Sequence, residues 1–204
     1  MELTTNSITL RGSLVQLPEF SHENHGKRFC KFTLDVPRLS GAVDTLPIIA
    51  EEALVNGIDP TGGGMLTVSG QIRSYNRRSD GARHLIIYVF ALDIVAEDGE
   101  PINDVVVEGP LCREPIFRRT PLGREICDAM LAVPRGFHRA DYLPCILWGR
   151  TAQEVSACHT RDAVRIFGRL QSRIYTKLTE EGAIERTAYE ISALSAQIVD
   201  IHQE

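Results

Sequence analysis

Polar and apolar residues alternate with period two over much of this chain. Ile8, Leu10 and Gly12 share one parity, as do Phe32, Leu34 and Val36, then Leu66, Val68 and Gly70, and again Val105, Val107 and Gly109. That period marks strands with one face turned to a core. His84 to Val95 and Thr187 to Val199 are richer in β-branched and aromatic residues and predict long strands. Arg77 to Gly81 and Lys177 to Gly182 predict hairpin tips. Only Thr151 to Cys158 has a convincing helical pattern, and it is brief.

The pattern occurs twice. At an offset of 97, residues 6–50 match residues 103–147 without a gap, with 15 of 45 positions identical. Chance identity of roughly 6% would give about three. The matches include Gly12 with Gly109, Leu14 with Leu111, Pro18 with Pro115, Phe20 with Phe117, Cys30 with Cys127 and Asp44 with Asp141. One residue out of that register, Leu66 to Gly70 matches Val164 to Gly168. Two copies, 6–98 and 103–200, joined by a short polar link at 99–102, account for the length. Each copy predicts about five strands with one short helix between the third and fourth. The fold class expected is all-β, two tandem Greek-key barrels of the OB type.

Composition removes other classes. Hydrophobic residues are 43% and charged residues 24%, as in a folded globular chain. No apolar run nears the ~20 residues of a membrane span. Met1 to Ser7 is polar, with no apolar leader, so a cytoplasmic chain is expected. Cys30, Cys112, Cys127, Cys145 and Cys158 are odd in number and widely spaced, which predicts free thiols rather than a disulfide framework or a zinc site. The net charge of −5 does not exclude nucleic acid, because a groove needs only a local basic track.

The stretches Asn103 to Pro134, Tyr142 to Ala157 and Val164 to Thr176 resemble the bacterial single-stranded DNA-binding protein family. The first strand carries that family's Asn, Gly, Leu and Pro at their spacing. The third ends in an aromatic residue, Gly and a basic residue, and the fourth carries the Val, Ile, Gly, Leu and Arg pattern. The resemblance covers the second copy, and the first through the repeat. It implies OB folds that bind single-stranded DNA with little sequence choice, no enzymatic activity and no cofactor. It also implies assemblies of four OB folds, which two tandem domains reach as a homodimer. No metal, membrane or small-molecule substrate enters that picture.

Such binding needs flat aromatic faces for bases and cations for phosphates. Tyr142 and Trp148 are six residues apart and share a strand face. The resemblance puts Tyr142 at the family's third-strand tryptophan and Trp148 at the aromatic before Gly-Lys/Arg. It also places Phe137 near a further aromatic position and Tyr175 on the fourth strand, with Arg150 and Arg173 at basic positions. Arg135, Arg139 and Lys177 flank them. In the first copy the offset puts Thr45 at Tyr142, Ser40 at Phe137 and Glu51 at Trp148, while Tyr75 and Arg73 remain. The first copy is therefore expected to be weakened for DNA and to serve in barrel pairing. The charges agree: residues 1–102 carry net −4 and residues 103–204 net −1.

Family members commonly extend into a long tail with an acidic tip; here Asp200 to Glu204 follow the last predicted strand directly, and recruitment of partners by a tail is not expected. His22, His25, His84, His138, His159 and His202 are too scattered for a metal site. Gly62 to Gly64 lacks the Lys-Ser/Thr of a phosphate loop and reads as a turn before the fourth strand. Glu51–Glu52 and Glu180–Glu181 are adjacent on the chain, so on a strand they point apart and make poor acid–base pairs. Two functions stay open: a single-stranded DNA binder of replication, recombination or repair, and an OB protein-interaction module that has lost most DNA binding. Single-stranded RNA stays open as a ligand, because stacking alone does not read the 2′-hydroxyl.

Overall fold

Twelve strands and two helices occur among the described residues, most of the strands where the alternating pattern lies. The computed structural model describes residues 5–58, 64–79, 81–179 and 182–199. The first half contains β1 (Asn6–Leu14), β2 (Glu19–Asn24), β3 (Lys27–Pro37), β4 (Val43–Glu51), α1 (Glu52–Val55), β5 (Met65–Ser79) and β6 (Ala82–Ala96). The second contains β7 (Ile102–Pro110), β8 (Ile116–Arg119), β9 (Glu125–Arg135), β10 (Arg139–Trp148), α2 (Gly149–Ser156), β11 (Ala163–Thr179) and β12 (Gly182–Val199). Each half thus has six strands, not five. The extra ones, β2 and β8, are short and mostly solvated on both faces, so they carry no alternation to read. The helix accordingly falls between the fourth and fifth strands of each half. Gly62 and Gly63 lie outside the described residues, and Gly64 directly precedes β5.

All strands join one sheet in the order β2-β3-β4-β6-β5-β1-β7-β11-β12-β10-β9-β8. The order reads the same from both ends once each element is exchanged for its repeat. The centre is the antiparallel β1–β7 pair, where Ile8 faces Val105 and Leu10 faces Asn103. Ile8 and Val105 are equivalent in the repeat, so the two halves are related by a local twofold through that pair.

Each half closes into a barrel where its first strand meets its third. Leu14 pairs with Leu34 in one half, and Leu111 bridges to Leu131 at the matching place in the other. Gly12 and Gly109 make that closure possible. A Cβ on Gly12 would lie 2.4 Å from the Asp35 carbonyl oxygen, and one on Gly109 2.4 Å from that of Ala132. The inward residues fill the barrels: Ile8, Leu10, Leu34, Leu46, Ile48 and Val68 in the first, Val107, Leu131, Leu143, Leu147, Ile166 and Leu170 in the second. Burial of this apolar surface is the main favourable term for the fold. No helix among the described residues is long and apolar enough to cross a membrane.

Candidate nucleic-acid interface

Strand β10 turns Asp141, Leu143, Cys145 and Leu147 inward and leaves Tyr142 and Trp148 on the opposite face, 46% and 38% exposed. The parity places both rings on one outer surface, as their spacing predicts. Trp148 is the last strand residue before α2, and its Nε1–H donates to Ser192 Oγ at 3.3 Å. One edge of the indole is anchored while part of its surface meets solvent. Beside it lies a groove of about 300 Å³, lined in part by Arg38, Arg169, Gln171 and Arg173. Glu190 balances part of that charge, accepting from Gln171 at 2.8 Å and lying 3.8 Å from Arg173. The Arg173 guanidinium also sits 5.6 Å from the centre of the Tyr175 ring. The Arg169 Nε is buried without a hydrogen-bond partner among the described residues.

Two fully buried carboxylates tie the halves together. Asp44 and Asp141 occupy the inward parity of β4 and β10. The Asp44 Oδ1 accepts from the Ser172 backbone N–H at 2.7 Å and its hydroxyl at 3.1 Å, and the carboxylate pairs with Arg38. In the mirror arrangement, Asp141 Oδ1 accepts from the Ser74 N–H at 2.7 Å. Its Oδ2 accepts from Arg73 at 3.0 Å, and Arg135 lies 3.7 Å from Oδ1. Burial alone would push the Asp44 carboxyl up, but the Arg38 guanidinium and the Ser172 donors together hold it below its usual range. The sequence signal for both was present: identical Asp residues at positions whose strand parity is otherwise apolar.

The Asp141 side opens into a groove of about 630 Å³ shared by both halves. Asn24, His25 and Arg73 of the first half line it with Arg135, Gly136, Phe137 and Arg139 of the second. Phe137 is 95% exposed at the turn between β9 and β10. Phe137 and His138 both have positive φ, 62° and 54°. Holding two non-glycine residues there costs about 1–3 kcal/mol each, a strain that concentrates at functional sites. The equivalent first-half turn uses Gly41 for positive φ and carries Ser40 where Phe137 stands.

The remaining expected residues disperse. Arg150 lies on α2 and pairs with Glu154 at 2.8 Å. Arg73 is mostly buried against Asp141, which neutralises it in part. Lys177 belongs to β11, but its side chain lies outside the described residues. Glu51, at the Trp148 position, pairs with Lys27 at 2.7 Å, and Glu52 with Arg28 at 2.9 Å. Tyr75 packs edge-on against Tyr88, centroids 6.0 Å apart. Tyr88 is a residue that sequence reading missed; its phenol is pushed up mainly by burial, with Arg135, Asp141 and Arg73 close enough to act on it. Phe20 and Phe117, matched in the repeat, are also exposed on β2 and β8, and Arg28 lies 4.6 Å over the Phe20 ring.

No group of three or more metal-ligating side chains occurs among the described residues. The five thiols are unpaired, four of them buried, and burial raises Cys127 to about 11.

The family model described as the single-strand binding protein family matches residues 102–199. Single-stranded DNA-binding protein B of Bacillus subtilis is 36% identical over 87 residues, which cover 39% of this chain and 75% of that protein. The chain belongs to the single-strand binding protein family. A single-stranded DNA-binding protein of Oceanobacillus iheyensis is 32% identical over 108 residues, covering 48% of this chain and 64% of that one. Among solved structures, the wild-type single-stranded DNA binding protein from Thermus aquaticus matches with a TM-score of 0.79 at 20% identity, over 98% of this chain and 95% of that one. At that identity the likeness speaks for the fold: two OB barrels in tandem. The sequence relatives match about one half of the chain, and the whole-length structural match extends the family's fold to the other.

Proposed function

We propose that the protein binds single-stranded DNA with little sequence preference, in replication, recombination or repair. Bases stack on Tyr142, Trp148, Phe137 and Tyr175, with Tyr75 as a first-half contribution. Phosphates meet Arg135, Arg139, Arg173, Lys177 and, less strongly, Arg73 and Arg150. The observation that carries this reading is the outer face of β10, where Tyr142 and Trp148 stand open and Trp148 lines a groove with Arg38, Arg169 and Arg173, in a member of this family. The division into a domain at 6–98, a link at 99–102 and a domain at 103–200 belongs to the same proposal. So do a homodimer presenting four barrels, a cytoplasmic setting and a role without catalysis. Membership of a single-strand binding family favours DNA binding over a pure interaction module.

Titration of labelled oligo-dT, oligo-U and duplex DNA by fluorescence anisotropy tests the reading. Tight binding to oligo-dT that weakens steeply with salt is expected, with duplex far weaker because its bases offer no free faces. Equal affinity for duplex would contradict it, and a preference for oligo-U would make RNA the ligand. Light scattering on the same sample should give twice the 22.7 kDa of one chain; a monomer would remove the four-barrel assembly.

A further inference from the structure

The repeat makes the two halves comparable residue by residue, and one outer face differs in kind between them. Asp44 accepts from Ser172 and Asp141 from Ser74, so Ser74 and Ser172 are equivalent. The next residue is Tyr75 in the first half and Arg173 in the second. Across each hairpin, Ile86 lies opposite Tyr75 where Ala188 lies opposite Arg173, and Tyr88 lies opposite Arg73 where Glu190 lies opposite Gln171. At the offset of 97, Pro47 and Ile49 match Pro144 and Ile146, and Glu51 matches Trp148. Where the second half has an arginine, a glutamate and an alanine on this face, the first half has two tyrosines and an isoleucine.

These exchanges line a pocket of about 260 Å³ in the first half. Pro47 and Ile49 of β4, Ile86 of β6, Tyr75 and Tyr88 form much of it, and Tyr189 of the second half joins them. Its charged lining residues are Glu19 and Lys31, which pair with each other at 3.0 Å. The rest of its polar side chains are uncharged: Gln16, Thr33 and the phenols of Tyr75, Tyr88 and Tyr189. None of these five side chains makes a hydrogen bond to another described residue.

Charge complementarity decides what such a lining fits. Each nucleotide of a strand brings a phosphate, and no unpaired cation among the described lining residues meets it. Apolar walls beside free hydroxyls and an amide instead match the side chain and the backbone amides of a peptide. Withdrawing apolar surface from water supplies the affinity, and the neutral donors and acceptors satisfy the peptide bonds.

We propose that this pocket docks a short, uncharged segment of a partner protein, anchored by a large aliphatic or aromatic side chain. The inference does not rest on the single-stranded DNA reading. The one lining residue it shares with the proposed strand contacts is Tyr75, the most exposed of the pocket's rings at 47%.

The test uses the full chain with isotope-labelled isoleucine methyl groups, read by NMR. N-acetyl-leucinamide and N-acetyl-phenylalaninamide stand for the anchor, and thymidine monophosphate for a strand. Both amides are expected to shift the Ile49 and Ile86 methyl resonances saturably, and thymidine monophosphate at equal concentration to leave both in place. Ile49 and Ile86 lie on outward strand faces, between buried neighbours on the chain or beside one. Ile49→Ser and Ile86→Ser should each weaken amide binding about fivefold or more, followed at the methyl that remains. No saturable shift, or amide binding unchanged in either folded variant, overturns the pocket. Shifts that follow thymidine monophosphate as strongly as the amides give the face to nucleotides and overturn the protein partner. Oligo-dT added to the same protein tests the other reading separately: unquenched Trp148 counts against strand binding and leaves the amide result standing.

Discussion

Asp44 shows how one side chain couples the halves to pH. Its carboxyl is held low in the folded chain, so its stabilisation is complete above the unfolded carboxylate value of about 3.9 and is lost as pH falls through the folded value. Asp44→Asn leaves Arg38 without its buried partner and should cost about 3 kcal/mol at neutral pH. The variant's denaturant midpoints should then fall less steeply in acid than the wild type's; an identical acid limb would remove Asp44 from this role. At this scale the sequence shows parity well: the shared face of Tyr142 and Trp148 is legible in their spacing. Partnership between distant strands is not. That Arg73 is mostly consumed by Asp141, and that Tyr88 lies beside them, depends on how the two halves dock.

Among elements, strands with one buried face announce themselves, and β1, β3, β5, β6, β11 and β12 are all legible as alternation or β-rich runs. β2 and β8 escape such a reading because solvent wets both their faces, and the four residues of α1 are too few to display a helical period. The barrel closures are a sharper element-level feature. Gly109→Ala would drive a methyl into the Ala132 carbonyl, and relief by shifting β7 would disturb the β1–β7 seam. A destabilisation of about 1–3 kcal/mol is expected in denaturant unfolding. Wild-type stability in this variant would mean that the close approach is dispensable.

For the whole molecule, the repeat reveals two equivalent units, but their docking by β1 against β7 is absent from the sequence pattern, because a strand edge carries no signature of its partner. That docking changes the functional picture. The sequence alone assigns the first half mainly to pairing, yet its Arg73 and His25 line a groove completed by Phe137 and Arg139 of the second half, and its Arg77, Arg83 and His84 line another with Tyr175 and Arg186. The proposed binding surface therefore draws on both halves while its best aromatics stay in the second. The most direct measurement of that account exploits the single tryptophan. Trp148 fluorescence during titration with oligo-dT, at low and high salt, should be quenched, with salt weakening the response, and Trp148→Ala should bind about 1–3 kcal/mol more weakly. Unquenched fluorescence together with unchanged affinity in Trp148→Ala would contradict a stacking surface on β10.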